Sequence, residues 1–218
     1  MVRNNTTPEF YVIDRGELLF GSKYGWGETE EPKIWGVRGL YEKCPVCGTG
    51  MGLRPWLPPQ NLSLHGRMFP DFMLGHGVDL MLSRPALELY DKKGWTGIVH
   101  RDPPAHIVRV RRKKPESLQV ELPEYSNVWN TRLGANLDDE ASGAVRRAVR
   151  CAYCRQSTDA IERVVLQAGS WNGADIFAAR GLGGTTLVSR RFVEGMAEAG
   201  LTGVVVLAPE DYSFSFAV

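Results

Sequence analysis

Cys44-Pro45-Val46-Cys47-Gly48 and Cys151-Ala152-Tyr153-Cys154 decide the reading of this chain, because between them they hold all 4 of its cysteines. Each is a C-x-x-C, the spacing in which a tight turn brings two thiolates onto one metal ion. Two such knuckles complete a closed tetrahedral four-sulfur zinc site. Gly48 suits the turn, where the backbone often reaches positive φ. The expectation is a structural Zn2+ held by Cys44, Cys47, Cys151 and Cys154. Four thiolates leave no open position for water, so no chemistry is expected at the metal.

Three other uses of these cysteines are weaker. Two disulfides need an oxidising compartment, and Met1-Val2-Arg3-Asn4-Asn5-Thr6-Thr7-Pro8 has no apolar run resembling a signal peptide. A thioredoxin-like pair at Cys44 and Cys47 needs a strand before it and a helix starting at its first cysteine. Gly36 to Lys43 and Gly48 to Gly52 read instead as loop. A Cys2His2 site drawing on two of His65, His76, His100 and His106 would leave Cys151 and Cys154 without ligands.

Outward from the knuckles, 218 residues with 43% hydrophobic content bury one sizeable core or two small ones. Twenty-six Lys and Arg against 25 Asp and Glu give a formal charge of +1, which sets up no field to recruit nucleic acid or an anionic membrane. No apolar stretch reaches the roughly 20 residues of a membrane helix, and the expected location is the cytoplasm. The 24 glycines and 13 prolines predict many turns and short elements.

Phe10 to Ile13 reads as a short strand, and Gly21 to Gly39 as loop anchored by Trp26 and Trp35. Leu53 to Pro59 carries three prolines and is not helix. A helix starts near Ser83 with Pro85 in its first turn, Leu87 and Tyr90 on one face, and Gly94 at its C-terminus. Strands follow from Ile98-Val99 and over His106 to Arg112. The clearest helix is capped by Ser189, carries a Phe192, Met196, Ala199 stripe with Val193 and Ala197 beside it, and ends at Gly200. Ile161 to Gln167, Val204 to Leu207 and Tyr212 to Phe216 read as strands.

The two helices belong to a longer correspondence. Ser83, Arg84, Glu88, Gly94, Thr96, Gly97 and Pro103 recur at an offset of 106 as Ser189, Arg190, Glu194, Gly200, Thr202, Gly203 and Pro209, with Ile98 over Val204. At an offset of 107 the knuckles superpose, and Gln60, Ser63 and Gly66 fall on Gln167, Ser170 and Gly173. This order predicts an internal duplication. The expected fold is α+β: two pseudo-repeat halves, 1–113 and 114–218, of mostly antiparallel sheet with short helices. A zinc near their pseudo-twofold axis would staple the halves into one compact unit, and a monomer is expected.

Two basic clusters, Arg109 to Lys114 and Arg146, Arg147 and Arg150, raise a nucleic-acid alternative centred on Arg111 and Arg147. Against it, acidic runs at Glu28 to Glu31 and Asp138 to Glu140 balance the charge, and aromatics are not interleaved as single-strand binding requires. A solvated strand edge and linker is the expected role. No G-x-S-x-G elbow occurs, and Gly181-Leu182-Gly183-Gly184 follows no convincing strand of a βαβ unit, so no enzyme is expected.

The paired knuckles, the Trp171-Asn172-Gly173-Ala174-Asp175-Ile176-Phe177 segment and the Val188-Ser189-Arg190-Arg191-Phe192 helix start, in this order, resemble the double-CXXCG motif family of myxobacteria. The resemblance spans about Phe10 to Tyr212; the second knuckle departs from it, with Arg155 where the motif has glycine. Some members of that family are immunity proteins for swarming-inhibition toxins. The resemblance therefore implies a cytoplasmic protein that binds and neutralises a cognate toxin domain delivered by a sibling cell. No particular toxin chemistry follows from a neutral chain.

Overall fold

The computed structural model describes residues 9–13, 26–30, 42–51, 60–66, 68–74, 80–111, 122–146, 151–155 and 158–216 of the 218. Among these the fold is mixed α+β, mostly sheet with two helices. The strands are β1 (Phe10–Ile13), β2 (Trp26–Glu30), β3 (Asn61–His65), β4 (Phe72–Leu74), β5 (Leu80–Ser83), β6 (Ile98–Pro104) and β7 (His106–Arg111). Then come β8 (Tyr125–Asn136), β9 (Val145–Arg146), β10 (Thr158–Ile161), β11 (Ile176–Arg180), β12 (Leu187–Ser189), β13 (Val206–Leu207) and β14 (Phe214–Ser215). Helix α1 (Arg84–Lys93) follows β5 and α2 (Arg190–Glu198) follows β12.

The main sheet runs β13-β1-β12-β11-β8-β5-β4, with β6 also on β8; smaller sheets run β14-β10-β9 and β2-β3-β7. Pairing is antiparallel except between β8 and β11 and between β3 and β7. Strands cross between the two ends of the chain. β1 pairs with β12 and β13, while β8 pairs with β5 and β6. The crossing is matched at each helix start: Arg84 N–H donates to the Glu124 carbonyl and Arg190 N–H to the Glu9 carbonyl, each at 2.9 Å.

Both helices begin as the sequence predicts. Ser83 and Ser189 sit in extended backbone, and their hydroxyls accept from Ala86 N–H and Phe192 N–H. Gly94 ends α1 in the left-handed region, whereas α2 is capped by Ala199 ahead of Gly200 at φ +69°. Leu87 and Tyr90 of α1 and Phe192 and Met196 of α2 pack into one core with Trp95, Phe72, Ile176 and Val188. Trp95 explains Gly195 in the middle of α2, since a Cβ there would lie 2.5 Å from the indole.

Two aspartates tie these units together reciprocally. Asp71, just before β4, accepts from the Ser83 hydroxyl at 2.8 Å on one oxygen, and from Thr202 N–H at 2.9 Å and its hydroxyl at 3.2 Å on the other. Asp175, just before β11, accepts from the Ser189 hydroxyl at 2.6 Å, and from Thr96 N–H at 2.8 Å and its hydroxyl at 3.3 Å. Thr202 C=O in turn accepts from Phe72 N–H, and Thr96 C=O from Ile176 N–H. The glycines that follow are fitted to the same contact. A Cβ on Gly97 would lie 2.0 Å from the Ile176 carbonyl oxygen, and one on Gly203 2.1 Å from that of Phe72.

Some sequence expectations need correction. Trp26–Glu30, expected as loop, is a strand because β3 offers it an antiparallel edge. The strand expected over Ile161 to Gln167 lies instead at Thr158–Ile161, and Leu166 keeps a single bridge to Leu137. The strand expected from Val204 is confined to Val206–Leu207, opposite Val12 and Ile13; Val204 and Val205 pack on the core without ladder pairing. That over Tyr212 to Phe216 is confined to Phe214–Ser215. Gly181 to Gly184 does follow a strand, but β11 turns back antiparallel into β12 as a hairpin, so no βαβ unit forms. Trp35, His76, Leu53 to Pro59, Arg112 to Lys114, Arg147 and Arg150 lie outside the described residues.

Candidate metal centre

The first knuckle is a turn closed on itself. Gly48 N–H donates to the Cys44 carbonyl at 2.9 Å, with Gly48 at φ +71°, and Lys43 bridges to Gly50 across the loop. The second knuckle copies it: Arg155 N–H donates to the Cys151 carbonyl at 3.0 Å. Arg155, where glycine is missing, is nonetheless at φ +44°, the one non-glycine in the left-handed region among the described residues. Such a conformation is uncommon for a bulky side chain.

What holds it there is the arginine's own hydrogen bonding. Its guanidinium donates to the Leu137 carbonyl at 2.9 Å and the Arg180 carbonyl at 3.3 Å, and pairs with Asp139 at 3.0 Å. Arg146, its side chain 6% exposed, chelates Asp139 at 3.1 and 2.7 Å and donates to the Gly181 carbonyl at 2.8 Å. Burial alone would push the Asp139 carboxyl up; Arg146 and then Arg155 hold it below the usual carboxylate range. Arg180 stacks over the Tyr153 ring at 3.9 Å. Arg146 and Arg155 thus share the one carboxylate of Asp139.

The two knuckles meet. All four sulfurs lie within 4.8 Å of one another, with Cys44 Sγ 4.0 Å from Cys151 Sγ and Cys47 Sγ 3.8 Å from Cys154 Sγ. A tetrahedron with metal–sulfur bonds of about 2.3 Å has edges of about 3.8 Å. The sulfurs are far beyond the roughly 2.05 Å of a disulfide, and all four cysteines are free. Cys44 and Cys154 are buried, Cys151 is half-buried and Cys47 is exposed. Met51, Leu133 and Tyr153 pack around them. Hydrogen bonds from the Thr49 hydroxyl and backbone bring the Cys47 thiol down to about 6, so its ligating form is the ordinary one at neutral pH. The arrangement can hold a thiophilic cation in a complete shell of protein sulfur.

The described histidines stand apart from the cysteines. His100 and His106 are exposed on β6 and β7, and His65 is on β3. His100 Nε2 lies 2.9 Å from the buried Asp102, which also accepts from Gln60 Nε2 at 2.8 Å and Asn127 Nδ2 at 3.2 Å. Of the basic clusters, Arg109 and Arg111 are exposed, as expected for a solvated strand edge. Arg146 is the correction: it is buried in the Asp139 network rather than solvated. The reciprocal aspartates and the Asp102 hub carry no motif. Asp71 and Asp175 are 104 apart, off the offset of 106 that aligns the two helix starts, which hid their correspondence.

No protein-family model matches the chain, and no curated protein matches it. Among the described residues no helix is long and apolar enough to cross a membrane.

Proposed function

We propose that the chain is an internally duplicated immunity protein, stapled by one structural Zn2+, that neutralises a toxin domain in the cytoplasm by binding it rather than by catalysis. The carrying observation is the four-sulfur cluster, two of whose edges between the knuckles have the length of a zinc–thiolate tetrahedron's, one knuckle from each proposed half. Pairing of equivalent cysteines across the cluster, Cys44 with Cys151 and Cys47 with Cys154, supports a pseudo-twofold through the metal. The exchanged strands β1 and β8 and the reciprocal Asp71 and Asp175 contacts support the duplication. A closed sulfur shell supports a metal that holds the fold and does no chemistry. The immunity role rests on the family resemblance of the knuckles, the Trp171 to Phe177 segment and the Val188 to Phe192 helix start.

The nucleic-acid alternative loses support at Arg146, whose guanidinium is fully engaged inside the protein. The test has two parts. Protein purified without added metal should contain one zinc per chain, with four thiols that become reactive only after chelation. Co-production with candidate toxin domains from the same source should restore growth for one of them and yield a one-to-one complex. Growth rescue by none, together with tight binding of single-stranded nucleic acid that weakens steeply with salt, would replace the reading with the alternative.

A further inference from the structure

A cleft of about 480 Å3 is lined by none of the residues that pack around the cysteines. Its walls include Glu9, Phe10, Val164, Leu166, Trp171 and Pro209. Trp171 is held rigidly: its ring stacks on Phe177 with centroids 5.5 Å apart, and Phe10 meets it edge-on at 6.1 Å. The indole N–H already donates to the Ala174 carbonyl at 3.1 Å. What Trp171 offers a ligand is therefore ring surface. At the lip stands Glu9, the one charged side chain of the lining, exposed and without an ion-pair partner among the described residues.

The face of an aromatic ring attracts a cation, and a carboxylate beside it does the same, while both disfavour an anion. The volume exceeds a single ammonium and suits an organic cation with a flat or aliphatic body. We propose that this cleft binds such a cation, its apolar body against Trp171 and Phe10 and its charge at Glu9. A basic side chain on a partner's loop and a free aromatic amine present the same chemistry. The site does not depend on the metal or on the immunity reading.

The test is a 15N heteronuclear NMR titration of the intact, metal-replete chain. The Trp171 indole N–H signal is assigned by its loss in Trp171→Phe. The probes are phenethylamine, the blocked dipeptide acetyl-Phe-Arg-amide and the anion 3-phenylpropionate. Both cations are expected to shift the Trp171 indole signal and the Gln167 and Gly169 amides saturably, with dissociation constants on the order of 1 mM for so few contacts. Glu9→Gln should weaken them about three- to tenfold, and 3-phenylpropionate should leave the signals in place. Tighter binding of the dipeptide identifies a partner's side chain as the source, and tighter binding of the amine a free small molecule. No saturable shift with either cation, equal binding of the anion, or indifference to Glu9→Gln overturns the proposal. None of these failures would touch the zinc content or the growth rescue.

Discussion

Asp175 is the carboxylate on which most depends at the residue scale. It is 0% exposed, and Arg191 chelates it at 2.6 and 2.5 Å in addition to Ser189 and Thr96. Burial pushes its carboxyl up, but Arg191, Ser189 and the Thr96 N–H together hold it below the usual range. Its counterpart Asp71 makes the same Ser and Thr contacts with Pro85 where Asp175 has an arginine. Asp175→Asn should therefore cost about 2–4 kcal/mol and Asp71→Asn about 1–2 kcal/mol, measured by urea unfolding at pH 7. Because the folded-state value is depressed, the Asp175 contribution is complete above the unfolded value of about 3.9 and is lost as pH falls through the folded value. The gap between wild type and Asp175→Asn should narrow below about pH 4; a gap unchanged at pH 3 would mean the carboxylate is not the source. The same contact fixes the two glycines. Gly97→Ala and Gly203→Ala, at φ +109° and +96° and against a carbonyl oxygen, should each destabilise by more than about 2 kcal/mol. Gly200→Ala meets nothing within 4 Å and should cost only about 1 kcal/mol for its positive φ of +69°.

At the element scale, the helices were legible because a cap, a stripe and a stop are local signals. Ser83 and Ser189, Leu87 with Tyr90, and Phe192 with Met196 stand where their spacing placed them, whereas Ala197 and Ala199, expected on or beside the same stripe, are exposed and Gly195 is buried in their place. Strand edges were less legible, since pairing decides them and pairing is remote in sequence. Trp26–Glu30 is polar and glycine-containing, and only the neighbouring β3 makes it a strand. The second knuckle shows the same dependence in reverse. Its sequence lacks the expected glycine, but the contacts of Arg155 come from Leu137, Asp139 and Arg180, which no local pattern announces. This sets two effects against each other. Arg155→Gly would relieve about 1–2 kcal/mol of left-handed backbone strain and remove an ion pair and two hydrogen bonds from a side chain only 15% exposed, worth about 3 kcal/mol or more. The loss is larger, so Arg155→Gly should lower stability by about 1–2 kcal/mol although it restores the motif; a stabilised variant in thermal melting would reverse that ranking.

At the scale of the whole molecule, the crossing of strands decides how the protein should come apart. β1 lies between β12 and β13, β8 spans β5, β6 and β11, and both helices share the Trp95 core. The main sheet is completed only by strands from both ends of the chain, although β2-β3-β7 and β14-β10-β9 are local, so melting should be a single cooperative transition rather than two. The proposed metal would act on the unfolded side of that balance. Joining Cys47 to Cys151 through one ion closes a loop of 103 residues. By chain entropy such a link is worth about 5 kcal/mol, before the ion's own preference for the folded site. Chelation should accordingly lower the melting temperature by tens of degrees while leaving one transition, since about 1 kcal/mol shifts a domain of this size by about 2–4 °C and binding energy adds to the entropy. Cys→Ser at Cys44, Cys47, Cys151 or Cys154 should each reproduce the chelated state, because the three sulfurs that remain hold the ion too weakly to keep the link. Calorimetry of the four variants tests this directly. Two separated transitions after chelation would mean that the strands exchanged between the ends do not couple them. A melting temperature unchanged in Cys151→Ser would mean that the staple does not hold the fold.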